Sequence, residues 1–265
     1  MLTVLLYKKQ TDMNKYFSIR RFANLLRREY HINIKRDLLI IGAMYSLFTL
    51  IIFLIFEFAE ETYDEEFFEQ FHFVTYIIML FMGSVFITSF SFIELRDKLK
   101  SHFYLLTPGS NFEKFMVNIL ISFLGYALFM LISYIIFSTA FNWITRELYE
   151  LRFNPLNITS SDFLLVMQIF IAVHSVFFLG AVTFKKYPLI LTPIAAFILI
   201  VVLSIINSAA GEIIFAGMDI DNLFDNMGFS EFFFGYEGIA KVCTFYAVPF
   251  ILWMVAYLKL KEKEY

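Results

Sequence analysis

Glu94-Leu-Arg-Asp-Lys-Leu-Lys-Ser-His-Phe-Tyr-Leu-Leu-Thr-Pro-Gly-Ser-Asn-Phe-Glu-Lys114 is a charged segment set between two long apolar runs. Leu95, Leu99, Phe103 and Leu106 recur at helical spacing while Arg96, Asp97, Lys98 and Lys100 take other faces, which predicts a short amphipathic helix. Pro108 disfavours helical backbone at Thr107 and Gly109 loosens the chain beyond it, so this helix ends near Leu106. Ser110 and Glu113 stand at capping-box spacing: the hydroxyl can accept from the Glu113 N–H while the carboxylate reaches back to the N–H of Ser110. A second helix is expected to start there and enter the membrane. Residues 94–114 then form a rigid elbow on one membrane face, suited to being pushed from outside the bilayer.

The composition sets the solvent. Hydrophobic residues make up 60% of the 265, with 36 Phe, and the mean hydropathy is +0.71; soluble domains are roughly half apolar. The expected fold is an all-α integral membrane protein. Cys243 is the single cysteine, which leaves no intrachain disulfide and no Cys-based metal site.

Residues 1–16 read as a flexible lead-in, with Met13 a second possible start. Over 17–36 the chain is basic and two-faced: Ile19, Phe22, Leu25, Leu26 and Tyr30 fall on one side of a helical wheel, and Arg20, Arg21, Asn24, Arg27 and Arg28 on the other. That pattern predicts an interfacial helix whose arginines meet anionic lipid. Six apolar runs follow, at about 38–57, 72–93, 115–140, 162–184, 187–208 and 239–258, each near the roughly 20 residues that cross a hydrocarbon core. Lys185, Lys186 and their neighbours alone join the fourth and fifth, which requires a tight helical hairpin.

Charge placement orients the six spans. With the N-terminus inside, the inner segments hold all of the 21 Lys and Arg except Arg146, Arg152 and Lys241, the positive-inside signal for both termini and the elbow in the cytoplasm. The first outer loop carries Glu57, Glu60, Glu61, Asp64, Glu65, Glu66 and Glu69, read as a solvated face. All 45 Lys, Arg, Asp and Glu lie at or outside the span ends, which argues against a proton-coupled carrier, a cation channel or a voltage sensor. Residues 211–238 interleave Phe232-Phe233-Phe234 and other aromatics with acids, so this segment between spans five and six is expected to be partly embedded in the membrane.

Motifs of catalysis are missing. There is no G-x-x-x-x-G-K-[ST], H-E-x-x-H or G-x-S-x-G, so no catalytic residue is assigned and ATP hydrolysis by this chain alone is not expected. Asp219, Asp221 and Asp225 resemble a calcium loop, but Phe224 stands where that loop needs glycine, and no metal site is assigned. Asn157-Ile158-Thr159 has the form of a glycosylation sequon and is read as a chance triplet. His174 lies mid-span near Gln168 and Ser175; it is either a neutral histidine hydrogen-bonded inside the bundle or a polar spot lining a substrate cavity.

The elbow resembles that of the type-2 permeases of ABC transporters, the membrane subunits of exporters for polysaccharides, drugs, antibiotics and lipids. Members carry, between the second and third spans, an acidic start, a Leu-Leu pair, Pro-x-Ser and an acid three positions on. Here Glu94, Leu105-Leu106, Pro108-Gly109-Ser110 and Glu113 stand in that order. The layout of basic helix, six spans and a long segment between spans five and six is similar over nearly the whole chain. Two departures stand out: Lys100-Ser101-His102 replaces the usual Gly-Thr region, and Asn118 stands where members often have Lys.

The resemblance implies that the elbow is a coupling helix docked on a separate cytoplasmic ATP-binding subunit, which would carry the ATP and Mg2+; no cofactor is expected in this chain. Leu99, Phe103, Tyr104, Leu105 and Leu106 would supply apolar contact, and Glu94, Arg96 and Lys100 polar register. The basic helix Ile19–Arg36 would lie beside it. It further implies a homodimer, or a pair with a related permease, in the cell inner (plasma) membrane, and no nucleic-acid partner. A non-transporting scaffold or sensor that holds a cytoplasmic partner through the same elbow is the competing reading. An intramembrane enzyme or ion-coupled carrier is the weakest, because the spans lack the chemistry.

Overall fold

A computed structural model describes residues 17–58, 65–150, 153–214 and 243–263, and among them all regular structure is helical. The elements are α1 (Ile19–Phe58), α2 (Glu65–Ser89), a 3-10 turn (Ile93–Arg96), α3 (Lys98–Leu106), α4 (Asn111–Ile119), a π-helical turn (Leu120–Gly125), α5 (Tyr126–Tyr149), α6 (Ser161–Thr183), α7 (Pro188–Ile214), a second π turn (Cys243–Ala247) and α8 (Val248–Glu262). The acidic loop up to Asp64 and the aromatic segment from Phe215 to Gly238 fall outside the described residues.

Five helical stretches are long and apolar enough to cross a membrane: Ile19–Phe58, Gln70–Ser89, Asn111–Leu148, Ser161–Thr183 and Pro188–Ala210. The chain is thus read as a multi-pass membrane protein. Of the sixth expected span, 239–258, the described part begins at Cys243 and runs through the π turn into α8.

The N-terminal region differs from expectation. The basic interfacial helix and the first span form one 40-residue helix, because Lys35-Arg36-Asp37-Leu38 contains neither proline nor glycine to stop it. At 1.5 Å per residue α1 is about 60 Å long, roughly twice a hydrocarbon core. The basic half therefore leaves the span as its direct extension. The third span likewise extends past residue 140, to Tyr149.

Helix α6 is the hub, packed against α2, α7 and α8. Three aromatic-rich clusters fill the bundle. The central one joins α2, α5 and α6 through Tyr76, Leu80, Met130, Tyr134 and Phe170. A second, at one end, seats the elbow against α4, α6 and α8 through Leu95, Tyr104, Phe115, Phe178 and Leu260. A third, at the other end, gathers Ile52, Phe71, Phe141 and Phe153.

Between membrane helices there is no water to expel, so close approach supplies the packing energy. Tyr126 spans α2 at Gly83, where a Cβ would strike its ring, and its hydroxyl donates to the carbonyls of Met79 and Leu80 at 3.0 Å each. At Gly180 of α6 a Cβ would collide with Thr192 of α7. Gly180→Val should destabilise this helix pair by about 1–3 kcal/mol, read as a lower melting temperature of the detergent-solubilised protein; an unchanged midpoint would show that α6 and α7 are not packed this closely.

Candidate functional site

The elbow is built from its caps outward. Asp97 begins α3 in an extended conformation, and its carboxylate accepts from the N–H groups of Leu99 and Lys100 at 2.8 and 3.2 Å, satisfying two of the donors a helix start leaves open. The helix ends at Leu106; Thr107 turns extended ahead of the exposed Pro108. Helix α4 then begins with the capping box: Ser110 Oγ accepts from the Glu113 N–H at 3.1 Å, and Glu113 Oε2 accepts from the Ser110 N–H at 2.8 Å.

Glu113 also takes donors from the chain's other end. Its Oε1 accepts from the Ser18 N–H at 2.6 Å and from Nε and Nη2 of Arg21 at 3.3 and 3.1 Å, and the side chain is fully buried. A second clamp lies one helical stretch along α1. Arg28 Nη2 lies 3.0 Å from both carboxylate oxygens of Glu94, while its Nη1 meets Glu29 at 2.6 Å. Gly109 packs against Leu25 so closely that a Cβ would come within 2.6 Å of it.

These contacts divide the elbow residues into two sets. Glu94, expected to set polar register for a partner, is spent on Arg28. Arg96, given the same role, donates to the Ser89 carbonyl, and its guanidinium lies 5.6 Å from the centre of the Phe90 ring. Tyr104, expected among the apolar contacts, is instead buried: Arg28 and Lys114 lie over its ring at 5.9 and 5.4 Å, and its hydroxyl accepts from Asn118 Nδ2 at 3.3 Å. The inward set thus holds the elbow to α1 and α4. The outward set keeps Leu99, Phe103 and Leu106, which are 68%, 65% and 79% exposed, with exposed Lys100 beside them. They are spaced by four and three residues and form one stripe along α3. The side chain of Leu105 is not among those described.

Of the basic helix, Arg21 and Arg28 are tied to the elbow, while Arg20 and Arg27 stay exposed. The tail comes to the same end of the bundle. Lys263 donates to the Val182 carbonyl, and burial followed by the nearby charges of Lys185 and Arg96 lowers its pKa. Elbow, hairpin and tail, three of the cation-bearing segments, are therefore gathered at one end of the bundle.

His174 is fully buried and lies among Phe123, Phe170, Phe178 and Trp253. Its Nε2 is 3.0 Å from Ser122 Oγ. The ring is thus enclosed and hydrogen-bonded through Nε2, while Nδ1 has no partner among the described residues. Ser122 in turn donates to the Asn118 carbonyl at 2.7 Å, so a polar chain runs from Tyr104 in the elbow through Asn118 and Ser122 to His174. Sequence reasoning missed this chain, although polar residues at 118 and 122 on one face of an apolar helix were its signal. It also missed His72, which is buried between Tyr134 and Asn142 at 3.0 and 2.8 Å. Among the described residues no cluster of His, Cys, Asp and Glu could hold a metal ion.

The two buried carboxylates titrate in opposite directions. Burial pushes Glu113 up, but the N–H groups of Ser110 and Ser18 and the Arg21 guanidinium outweigh it and hold its pKa below the ordinary 4.5. Its stabilisation is therefore complete above pH 4.5 and is lost only as the pH falls through the lowered value. Burial dominates at Glu29 and raises its pKa despite Arg28; that contribution is complete below pH 4.5 and lost as the pH rises through the raised value. Glu113→Ala should leave the Ser18 and Ser110 donors unpaired, at about 1–3 kcal/mol. Amide exchange corrected for intrinsic rates should then quicken roughly 5- to 150-fold at residues 18–25 and 110–114 at pH 7. In the wild type the same loosening should appear only below pH 4.5; equal protection in the variant would refute the clamp. The chain matches no protein-family model, no curated protein and no solved structure, so its function rests on this geometry.

Proposed function

We propose that this chain is the transmembrane subunit of an ABC exporter, coupling ATP hydrolysis by a separate cytoplasmic subunit to movement of an apolar or amphipathic substrate across the plasma membrane. The observation that carries the reading is the two-sided elbow: α3 turns Leu99, Phe103 and Leu106 outward while Tyr104 is locked inward. An exposed apolar stripe beside Lys100 is the kind of surface a partner protein covers. In this reading six spans place both termini and the elbow in the cytoplasm, two copies form the transport core, and ATP and Mg2+ belong to the partner.

Mechanically, the closing of an ATPase pair must reach the spans through something stiff. Here α3 is capped at its start, stopped by Pro108, and seated on α6 and α8 through the cluster around Tyr104 and Phe178, while the turn before it and α4 after it are tied to α1 by Arg28–Glu94 and Arg21–Glu113. A push on the stripe moves three helices together. The scaffold reading draws on the enclosure of His174, whose ring is fully buried; it expects the same docking without substrate-stimulated ATP turnover.

Purification in mild detergent from the native host should recover an ATP-hydrolysing chain. Phe103→Asp, at an exposed position where folding is little affected, should weaken that capture roughly 30-fold, the scale of an interface hot spot. Substrate-stimulated turnover of the complex separates exporter from scaffold. Recovery of this chain alone, or capture unchanged by Phe103→Asp, would count against both.

A further inference from the structure

A groove of about 850 Å3 lies between α1 and the beginning of the third span, within the roughly 300–1,000 Å3 typical of small-molecule sites. One wall is apolar, formed by Leu120, Ile121, Leu124 and Phe129. The π turn Leu120–Gly125 shapes it, and such turns recur at functional sites. Leu124, Leu128 and Phe129 are 47%, 59% and 41% exposed, so the groove opens sideways, toward the hydrocarbon in which apolar side chains of a span are solvated.

The other wall is α1. Arg27, Tyr30, Asn33 and Asp37 stand there among apolar residues such as Leu26 and Ile34, and beyond Asp37 the lining is apolar as far as Ile41, about 21 Å from Arg27 at 1.5 Å per residue. Two of the four polar groups are already satisfied. The Asn33 amide donates to Glu29 at 3.2 Å, and the Asp37 carboxylate accepts from Arg36 at 2.9 and 2.7 Å. The Arg27 guanidinium and the Tyr30 hydroxyl have no hydrogen-bond or ion-pair partner among the described residues. They stand three residues apart on one helix face. What the groove leaves open is one cation and one phenol above an apolar trough, a demand for an anion joined to a chain.

We infer that this groove holds one anionic glycerophospholipid, its phosphate on Arg27 and Tyr30 and an acyl chain along Leu120–Phe129. Charge sets the headgroup: a guanidinium is a good phosphate donor, and the groove's one carboxylate is already paired. Lateral opening sets the source, because a ligand entering from the bilayer is a lipid. Bound there, the lipid would fill the gap where α1 and the third span part between their contacts at Glu113 and at Tyr45–Ser133, stiffening the same helix that the elbow is tied to.

Native mass spectrometry of the full chain with added phosphatidylglycerol tests this without any ATPase partner, so its outcome is independent of the transport reading. One lipid per chain should persist after delipidation. Arg27→Ala should weaken binding about tenfold or more, the scale of a lost charge-assisted hydrogen bond. Arg20→Ala, which removes an exposed arginine outside the groove, should not. Leu124→Trp, at an exposed position that fills the trough, should displace the lipid while leaving Arg27 in place. Equal weakening by Arg20→Ala and Arg27→Ala would reveal diffuse attraction to a basic helix and overturn the site, as would full retention of the lipid by Leu124→Trp.

Discussion

One buried carboxylate holds the elbow end of the bundle together. Glu113 is fully buried and receives two backbone N–H groups and two guanidinium donors. An ionised carboxylate in such a place is tolerated only when its lone pairs are taken. Satisfying them fixes three things at once: where α4 starts, where α1 begins and how α1 lies against the elbow. The Arg28–Glu94 pair is partly exposed and contributes less to stability, since open pairs are worth about 0–1 kcal/mol. Its role is to set the register of α1 against the turn that opens the elbow, and its Arg28 lies over the same Tyr104 ring that seats the elbow.

The same rule governs only part of the interior. Many buried polar side chains of the spans find helix carbonyls or one another, while the hydroxyls of Ser84, Thr88 and Thr192 have no partner among the described residues. Thr75 donates to the Phe71 carbonyl, Thr145 to Phe141 and Ser175 to Ala172. His72 and His174 each sit in an aromatic cage with hydrogen-bonding neighbours from another helix. These contacts join α2 to α5 and the π turn to α6. Polar pairing of this kind adds direction to helix packing that would otherwise rest on shape alone. The path from Tyr104 through Asn118 and Ser122 to His174 gives the elbow a polar connection to the hub helix beside its apolar one.

What could be read in the sequence was what local rules determine. The capping box at Ser110 and Glu113, the stop before Pro108 and the tight turn at Lys185–Lys186 follow from short-range backbone chemistry. The apolar runs follow from the length a bilayer demands. Hidden were the long-range pairings. Glu94 and Glu113 look like outward charges because their arginine partners lie 66 and 92 residues away. Tyr104 looks equivalent to Phe103 on a helical wheel, and only the packing of α4 and α1 decides that one faces in and the other out. The break expected between the basic helix and the first span was a charge boundary, and charge alone does not interrupt helical hydrogen bonds. The π turn has no sequence signature at Leu120–Gly125 beyond the glycine.

The central claim is that the outer stripe of α3 faces the cytosol on a rigid mount. Cysteine placed at Phe103 in a Cys243→Ser background, and treated with a membrane-impermeant maleimide, tests it most directly. The account predicts modification in inverted membrane vesicles and none in intact cells. Modification from the cell exterior, or protection on both sides with no partner present, would contradict it.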